Sequence, residues 1–387
     1  MDVTKQGVVV LLKSAVTAQA LPLPEGFHMD AALPLVRRHH MSTLIYDGAV
    51  RCGVPRQEPA MQKMFQGYCR ALQISEGQMA QYQRICRGFD EAQIDYMPLK
   101  GCRMKALYPK PELRIMGDAD ILIRMEQYEK IRPIMLELGF EEGDESDHEL
   151  HWVLPQLHVE LHKRMVPSHN LDFHAYFGDG WQLATIKDGF RHSMTAEDEM
   201  VYLFTHFAKH YRDGGIGCRH VVDLWVYRRA NPELDEGYVQ AELEKLQLLE
   251  FYRNVMRLID FWFCDGDGDA MLEFMTEYIM AAGSWGDLSD RVMAETLRDA
   301  KHWHIGGKAA YIRRKLFPSA TILRGKYTIL KKAPWMLPVV WLVRPFYKVL
   351  FERKSLDRPK EELKMMDEKV LRQRQKMLEY VGLVYHF

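Results

Sequence analysis

The chain has 387 residues, of which 47% are hydrophobic and 27% are charged, and its formal net charge at pH 7 is −1. This composition is ordinary for a globular protein, and the length predicts two or three domains, or one core with helical additions. Because the net charge is close to zero, no overall field favours nucleic acid or an anionic membrane, and either partner would need a local patch.

The cysteines and the N-terminal residues indicate the cellular compartment in which we expect the protein. The six cysteines form no C-x-x-C pair, and their spacings fit neither a zinc ribbon nor a secreted disulfide scaffold. We therefore expect free thiols and a cytoplasmic location. The apolar run from Val8 to Leu12 is too short for a signal peptide, and Asp2 lies close before it. No run of about 18 uncharged apolar residues occurs, so no membrane-spanning helix is predicted.

Residues 1–90 are predicted to form a helical N-terminal region. Ser75 and Gln78 have the spacing of a capping box, so we expect one helix to begin at Ser75. The apolar residues after this start recur at helical spacing; they are Met79, Tyr82, Ile85, Cys86 and Phe89.

Strand signals are confined to residues 94–165, which we assign to a core at residues 91–175. Three stretches carry these signals, at residues 94–101, 121–140 and 148–165. The second begins as the end of a strand and continues into a helix that stops near Gly139. The third forms two strands around Pro155 and Gln156. The pattern indicates a small core of strands and helices, with helical material before and after it.

Residues 176–330 are predicted to form a helical domain. Thr195 and Asp198 open one of its helices. The glycine-rich stretch at residues 212–217 breaks the helical pattern, which resumes in CRHVVDLWVYRR. We find no internal repeat and no low-complexity tract.

The last region, residues 331–387, combines a proline-broken apolar and basic segment with a charged tail. The segment at residues 331–354 contains three prolines and has basic flanks, and one alternative is that it lies on a membrane surface. We favour packing on the helical domain, because the prolines spoil a continuous amphipathic helix. The tail beyond Asp357 is highly charged and is expected to be a solvated helix.

The stretch RIMGDADILI, residues 114–123, places Asp118 and Asp120 in an otherwise apolar strand. Side chains alternate along a strand, so both carboxylates project from one face. They repel each other, and each pKa is raised unless a cation lies between them. Magnesium suits this place, because it takes one or two protein carboxylates and completes its shell with phosphates and water. Gly117 would let a ligand approach the backbone. The alternative is a solvated strand end.

The neighbouring segments favour the metal site. The preceding strand ends in PLKG and leads into a helix, an arrangement that binds anions. Lys100 adds positive charge beside Gly101, and Arg114 could also reach a phosphate. Downstream, Glu160 becomes a third carboxylate if its strand neighbours that of Asp118. Three carboxylates can hold two metal ions about 4 Å apart, the geometry used for phosphoryl transfer.

Two further patterns suggest other metal sites. DGDGD, at residues 265–269, lacks the glycine and the glutamate that the EF-hand loop requires, so we expect an acidic turn. His158, Glu160 and His162 alternate on one strand face and could instead bind zinc, which would compete for Glu160. We favour strand histidines that hydrogen-bond locally.

The helix pattern after residue 195 carries two more pairs. His206 and His210 are one helical turn apart, but no H-E-x-x-H glutamate accompanies them. Arg219 and Asp223 have the i,i+4 spacing of an ion pair. Packing of the helix on the core is the favoured interpretation, and contact with a nucleotide or an acceptor is the alternative.

The quoted motifs, LKG, ELRIMGDADILI and LHVELHKR, resemble those of the uncharacterised bacterial nucleotidyltransferases of the DNA polymerase β superfamily. The resemblance covers residues 90–230. In this sequence the turn of the superfamily corresponds to Lys100, Gly101 and Cys102, the aspartate pair to Asp118 and Asp120, and the third carboxylate to Glu160. The superfamily usually has glycine or serine where this chain has Cys102. The implied fold is α+β, with a small mixed-sheet, polymerase β-like core and large helical additions at both ends.

The resemblance implies a metal-dependent nucleotidyltransferase. It would bind an NTP such as ATP with two Mg²⁺ ions, or with Mn²⁺, and move the NMP to an acceptor hydroxyl with release of pyrophosphate. The metal ligands and catalytic residues would be Asp118, Asp120 and Glu160. The nucleotide-binding residues would be Lys100, Gly101, Cys102, Arg114 and Gly117. The acceptor, whether RNA, protein, sugar or small molecule, stays open. The departure at Cys102 motivates the alternative, a catalytically inactive nucleotide- or partner-binding protein on the same fold.

Overall fold

The fold is α+β: the chain forms one mixed sheet, and helices come before and after the strands in the sequence. The computed structural model describes residues 1–168, 170–283, 292–297, 306–318, 323, 327, 329–351, 362–363, 366 and 368–384. Within these ranges, no helix has both the length and the apolar character needed to cross a membrane.

The N-terminal region is helical, as predicted. Its helices are α1 (Val3–Thr17), α2 (Met29–Arg38), α3 (Ser42–Arg51) and α4 (Pro59–Glu91). Helix α4 is continuous over 33 residues, so the predicted helix start at Ser75 is wrong. The Ser75 hydroxyl instead accepts a hydrogen bond from Lys105 Nζ at 2.5 Å, and the Gln78 amide donates to the Met116 carbonyl at 3.2 Å. These residues therefore tie α4 to the segment that precedes the aspartate pair.

The remaining helices follow the strands in the chain or lie between them. They are α5 (Gly101–Met104), α6 (Tyr128–Glu137), α7 (Leu171–Phe177), α8 (Ala196–Asp213), α9 (Cys218–Ala230), α10 (Glu236–Lys245), α11 (Leu249–Phe263), α12 (Ala270–Ala282), α13 (Gly307–Leu316), α14 (Ile329–Lys332), α15 (Leu337–Phe351) and α16 (Glu368–Tyr380). The predicted start of α8 is confirmed, since Thr195 Oγ1 accepts from the Asp198 amide at 3.1 Å. Gly139, with φ +88°, follows α6 in the left-handed conformation that glycine favours.

Within the described part of the chain, the sheet has seven strands in the order β3-β4-β5-β2-β1-β7-β6. They are β1 (Tyr96–Pro98), β2 (Ala119–Ile123), β3 (Glu141–Glu145), β4 (Glu149–Leu154), β5 (Leu157–His162), β6 (Ile186–Asp188) and β7 (Arg191–Ser193). The β2–β5 and β1–β7 pairs are parallel, and the other pairs are antiparallel. The confinement of strands to residues 94–165 is wrong, because β6 and β7 extend the sheet beyond β1. Each has only three residues, too few to show an alternating pattern.

The two faces of the sheet differ in chemistry because side chains alternate along β2 and β5. On one face, Ile121, Val159 and Leu161 pack with residues of α4 and α6, such as Phe89 and Ile131, in one hydrophobic cluster. The other face carries polar side chains, among them Asp120 and Glu160. A second and larger cluster joins α1–α3 to α8–α12. The polar face therefore lies between two packed cores.

The C-terminal region differs from its prediction. Helix α15 continues through Pro338 and Pro345, so the expected break by the prolines is wrong over residues 337–351. Pro338 lies in the first turn, where its missing N–H costs nothing. Helix α16 agrees with the predicted helical tail, although Leu378 is buried. Residues 352–361, at the start of that tail, lie outside the described residues. The membrane-surface alternative stays a prediction.

Trp152 tests the cluster between the sheet and α4. Its side chain is fully buried on β4, whereas the neighbouring Val153 points outward and is 46% exposed. We expect Trp152→Ala to lower the free energy of unfolding by about 3–5 kcal/mol, since it leaves a large cavity. The control Val153→Ala should cost less than about 1 kcal/mol. Urea denaturation measures both, and equal losses would contradict this packing.

Candidate active site

The register of two parallel strands brings two acidic residues side by side. Strands β2 and β5 pair with Asp120 opposite Glu160, and both side chains lie on the polar face. Ligand atoms of Asp120, Glu160 and His162 lie within 4.8 Å of one another. Asp118 lies one residue before β2, is half-buried, and belongs to none of the possible metal-binding groups among the described residues. The two predicted strands are thus neighbours, and Glu160 lies within reach of a metal ion bound to Asp120.

Two donors already converge on one oxygen of Asp120. Lys100 Nζ lies 2.7 Å from Asp120 Oδ1, and His162 Nε2 donates to the same oxygen at 2.9 Å. Lys100 has φ +42° and ψ −115°, which costs a non-glycine residue conformational energy. The Leu99 amide donates to the Asp120 carbonyl, and the Cys102 amide closes the turn on the Leu99 carbonyl. The strained turn therefore holds the lysine against the strand that carries Asp120.

The three carboxyl groups differ in charge state because their neighbours differ. Burial raises the pKa of Glu160 to about 8, and the charges of Asp120 and Asp118 act in the same direction. Burial, and then the charge of Asp120, also raises the pKa of Asp118. Burial acts to raise the pKa of Asp120 as well, but the Lys100 ammonium and the hydrogen bond from His162 hold it below its usual range. Asp120 is thus ionised, whereas Glu160 can carry a proton near neutral pH.

A cleft of about 510 Å³ lies between this face of the sheet and helices α8 and α9. The helices contribute basic and imidazole side chains to its lining, including His206, Lys209, His210, Arg219 and His220. Among the described residues, no hydrogen bond or ion pair holds the Lys209 ammonium group. Burial, and then the charge of Lys100, lowers the pKa of Lys209 to about 8. An anion in the cleft would raise the pKa of this lysine and stabilise its charged form.

An ion pair fixes α9 to the segment before β2. Arg114 donates to both carboxylate oxygens of Asp223, at 3.2 and 3.0 Å, and the Tyr108 hydroxyl donates to Asp223 Oδ1 at 2.6 Å. The predicted pairing of Arg219 with Asp223 is therefore wrong. Arg219 instead donates from Nη1 to the Ile115 carbonyl at 3.1 Å, and its buried Nε has no hydrogen-bond partner among the described residues. Arg219 lines the cleft with one donor unused.

The cleft brings together most of the predicted site residues. They are Lys100, Gly101, Arg114, Gly117, Asp118, Asp120 and Glu160. Cys102 is not among the lining residues; it packs in the cluster between the sheet and α4. Helix α5 has only four residues, so its macrodipole is small and the expected anion site at its start lacks that support.

Several residues at the site were not assigned to it from the sequence. The sequence suggests only a zinc ligand for His162 and an ion pair or a nucleotide contact for Arg219, and it suggests no role for Lys209. His206 and His210, for which packing was favoured, both line the cleft. The only sequence signal for these residues is that polar groups recur among the apolar positions of a buried helix. Residues 265–269 connect α11 to α12, and Asp269 caps α12 by accepting from the Leu272 amide.

Glu160 makes the stability of the metal-free protein depend on pH. A raised carboxyl pKa means that the folded state binds the proton more tightly than the unfolded chain, so stability falls as pH rises from 4.5 to about 8. We expect Glu160→Gln to melt at a higher temperature than the wild type at pH 8.5, and at a similar temperature at pH 4.5. Thermal unfolding in a chelating buffer measures this, with the exposed Glu129→Gln as control. A variant less stable than the wild type at pH 8.5 would contradict the assignment.

Comparison with known proteins gives one result. The model of a protein family described as uncharacterised nucleotidyltransferase matches residues 25–264, which is more than half of the chain. No curated protein and no solved structure matches it. The matched range includes the whole sheet and the helices that line the cleft. The chain therefore belongs to the uncharacterised nucleotidyltransferase family.

Proposed function

We propose that the protein is a magnesium-dependent nucleotidyltransferase with a polymerase β-like core, and that it transfers the NMP of an NTP to an acceptor hydroxyl. The observation that carries this proposal is the pairing of Asp120 with Glu160 across parallel strands, with Asp118 in the lining of the same cleft. Membership of a nucleotidyltransferase family supports the reaction class. The acceptor and the base of the NTP are left open.

The donor set fits Mg²⁺. Asp118, Asp120 and Glu160 offer carboxylate oxygens, the hard ligands that Mg²⁺ and Mn²⁺ prefer. Their mutual repulsion, visible in the raised pKa values of Asp118 and Glu160 that burial and neighbouring charge produce, is the kind that a cation relieves. Bound metal would neutralise charge on the phosphates during transfer. These three residues would hold it.

The basic side chains of α8 and α9 fit the phosphate chain of the nucleotide. Lys209 and Arg219 face the cleft with donors that no residue in the described ranges uses, and a triphosphate would accept from both. The β- and γ-phosphates would lie along these helices, and the α-phosphate would then lie near the carboxylates. Lys100 is held by Asp120, so we assign it to orientation of that carboxylate rather than to direct phosphate binding.

In the proposed reaction, the acceptor oxygen forms a bond to the α-phosphorus and the bond to the bridging oxygen of the β-phosphate breaks. Pyrophosphate leaves with the electron pair. Glu160, when ionised, would receive the acceptor proton, because its side chain lines the cleft and is 17% exposed. Positioning and charge neutralisation supply most of the rate in such transfers.

One observation favours the second candidate, a protein that binds nucleotide without catalysis. The ammonium group of Lys100 and the His162 ring already satisfy one oxygen of Asp120, so part of the charge that a metal ion would balance is balanced by the chain itself. A nucleotide would then bind through the basic helices alone. Binding without magnesium dependence would favour this candidate.

Substitution of Asp118 and Asp120 tests whether these residues bind magnesium. We expect Asp118→Asn and Asp120→Asn each to abolish magnesium-dependent binding of NTPs and transfer of an α-labelled NMP to acceptors in a cell extract. The control Asp144→Asn changes an exposed carboxylate on β3 and should have no effect. Isothermal titration and label transfer measure the two properties. If both aspartate variants retain magnesium-dependent binding, the proposal is wrong.

Substitution of Lys209 tests the proposed binding of the phosphates by α8 and α9. Loss of a hydrogen bond to a charged group costs about 1.5–3 kcal/mol, so Lys209→Ala should weaken NTP binding by roughly 10-fold to 100-fold. Binding of the nucleoside should change little, because it lacks the phosphates. The exposed Lys130→Ala, on α6, is the control. Competition titrations with NTP and nucleoside measure the difference, and equal weakening of both ligands would contradict the role.

A further inference from the structure

A second group of possible metal ligands lies on β4 and β5, beside Glu160. The nitrogen His151 Nδ1 is 3.1 Å from His158 Nε2 and 3.8 Å from Glu160 Oε1. One ligand atom from each of the three residues lies within 4.8 Å of the others, and all three residues are half-buried. The predicted zinc group contained His162 in place of His151. His162 turns its Nε2 toward Asp120 instead.

The separations suit a tetrahedral ion. Zinc binds histidine nitrogen at about 2.0–2.1 Å, so two ligand atoms on one tetrahedral ion lie about 3.3 Å apart. The separations of 3.1 and 3.8 Å from His151 Nδ1 bracket this value, and one ligand atom of each residue lies within 4.8 Å of those of the other two. Two imidazole nitrogens and one carboxylate oxygen form a donor set that zinc accepts, with the fourth position left for water.

The remaining nitrogen of His151 has the partner that metal-bound histidines usually have. Glu149 Oε1 lies 3.3 Å from His151 Nε2, and Glu149 Oε2 lies 2.9 Å from His148 Nε2. A carboxylate that accepts from one ring nitrogen places the proton there and turns the other lone pair toward the metal. Glu149 therefore orients His151 so that its Nδ1 points toward His158 and Glu160.

We propose that His151, His158 and Glu160 form a zinc-type transition-metal site next to the carboxylate pair. This site and the proposed magnesium site share one ligand, Glu160, and their other ligands differ. Its existence follows from the donor geometry and does not require nucleotidyl transfer. Its consequence rests on the proposed function: an ion at this site occupies Glu160 and would inhibit the transfer.

Zinc binding to the metal-free full-length protein tests the site directly. With a competing zinc indicator and no nucleotide present, we expect one ion per chain. His151→Gln and His158→Gln should each weaken its affinity more than 100-fold, and Glu149→Gln should weaken it by about tenfold, since it acts through His151. His28→Gln, an exposed histidine at the start of α2, should leave the affinity unchanged.

Three results would overturn the inference: no zinc binding by the wild type, unchanged affinity in both histidine variants, or a loss that follows His162→Gln while His151→Gln binds normally. The last result would assign the ion to one of the two groups that contain His162, either with Asp120 and Glu160 or with His148 and Glu149. Thermal unfolding of each variant shows whether it is folded. Because the assay contains no nucleotide, a failure here leaves the proposed transfer reaction untouched, and a failure of transfer leaves the zinc result untouched.

Discussion

The structure depends on the cost of burying carboxylates in one sheet. The parallel pairing of β2 with β5 sets Asp120 beside Glu160, and an isolated buried charge there would be strongly unfavourable. The chain lowers this cost with Lys100 and His162, which both contact one oxygen of Asp120. It does so incompletely, because burial and neighbouring charge still raise the pKa of Glu160 to about 8. The remaining imbalance is what makes a cation the natural ligand.

The helices contribute the opposite imbalance. On α8 and α9, Lys209 and Arg219 lie at the cleft with donors that no described residue uses. The bidentate ion pair between Arg114 and Asp223 fixes α9 to the segment before β2. It therefore keeps the basic side chains of the helices at a fixed distance from the carboxylates of the strands. A metal ion bound to a triphosphate would place positive charge beside the carboxylates of the strands and negative charge beside the basic side chains of α8 and α9. This complementarity links the fold to the proposed reaction.

The sequence was informative where the signal is local and uninformative where packing decides. Alternation in RIMGDADILI and in LHVELH is enough to predict two strands with acidic residues on one face, but register between residues 40 positions apart depends on the folded sheet. Lys209 lies about 90 residues from the aspartates, and nothing near it in the chain indicates a cleft. The capping-box spacing at Ser75 misled because α4 was already helical from Pro59 onward. Strands β6 and β7 were missed because each has three residues.

A crystal structure of the protein with Mn²⁺ and a non-hydrolysable NTP analogue would locate the metal ion and the phosphates together. We expect anomalous scattering from manganese within coordination distance of Asp120 and Glu160, with the triphosphate along α8 and α9 near Lys209. Manganese bound away from these carboxylates, or a nucleotide outside the cleft, would contradict the proposed function.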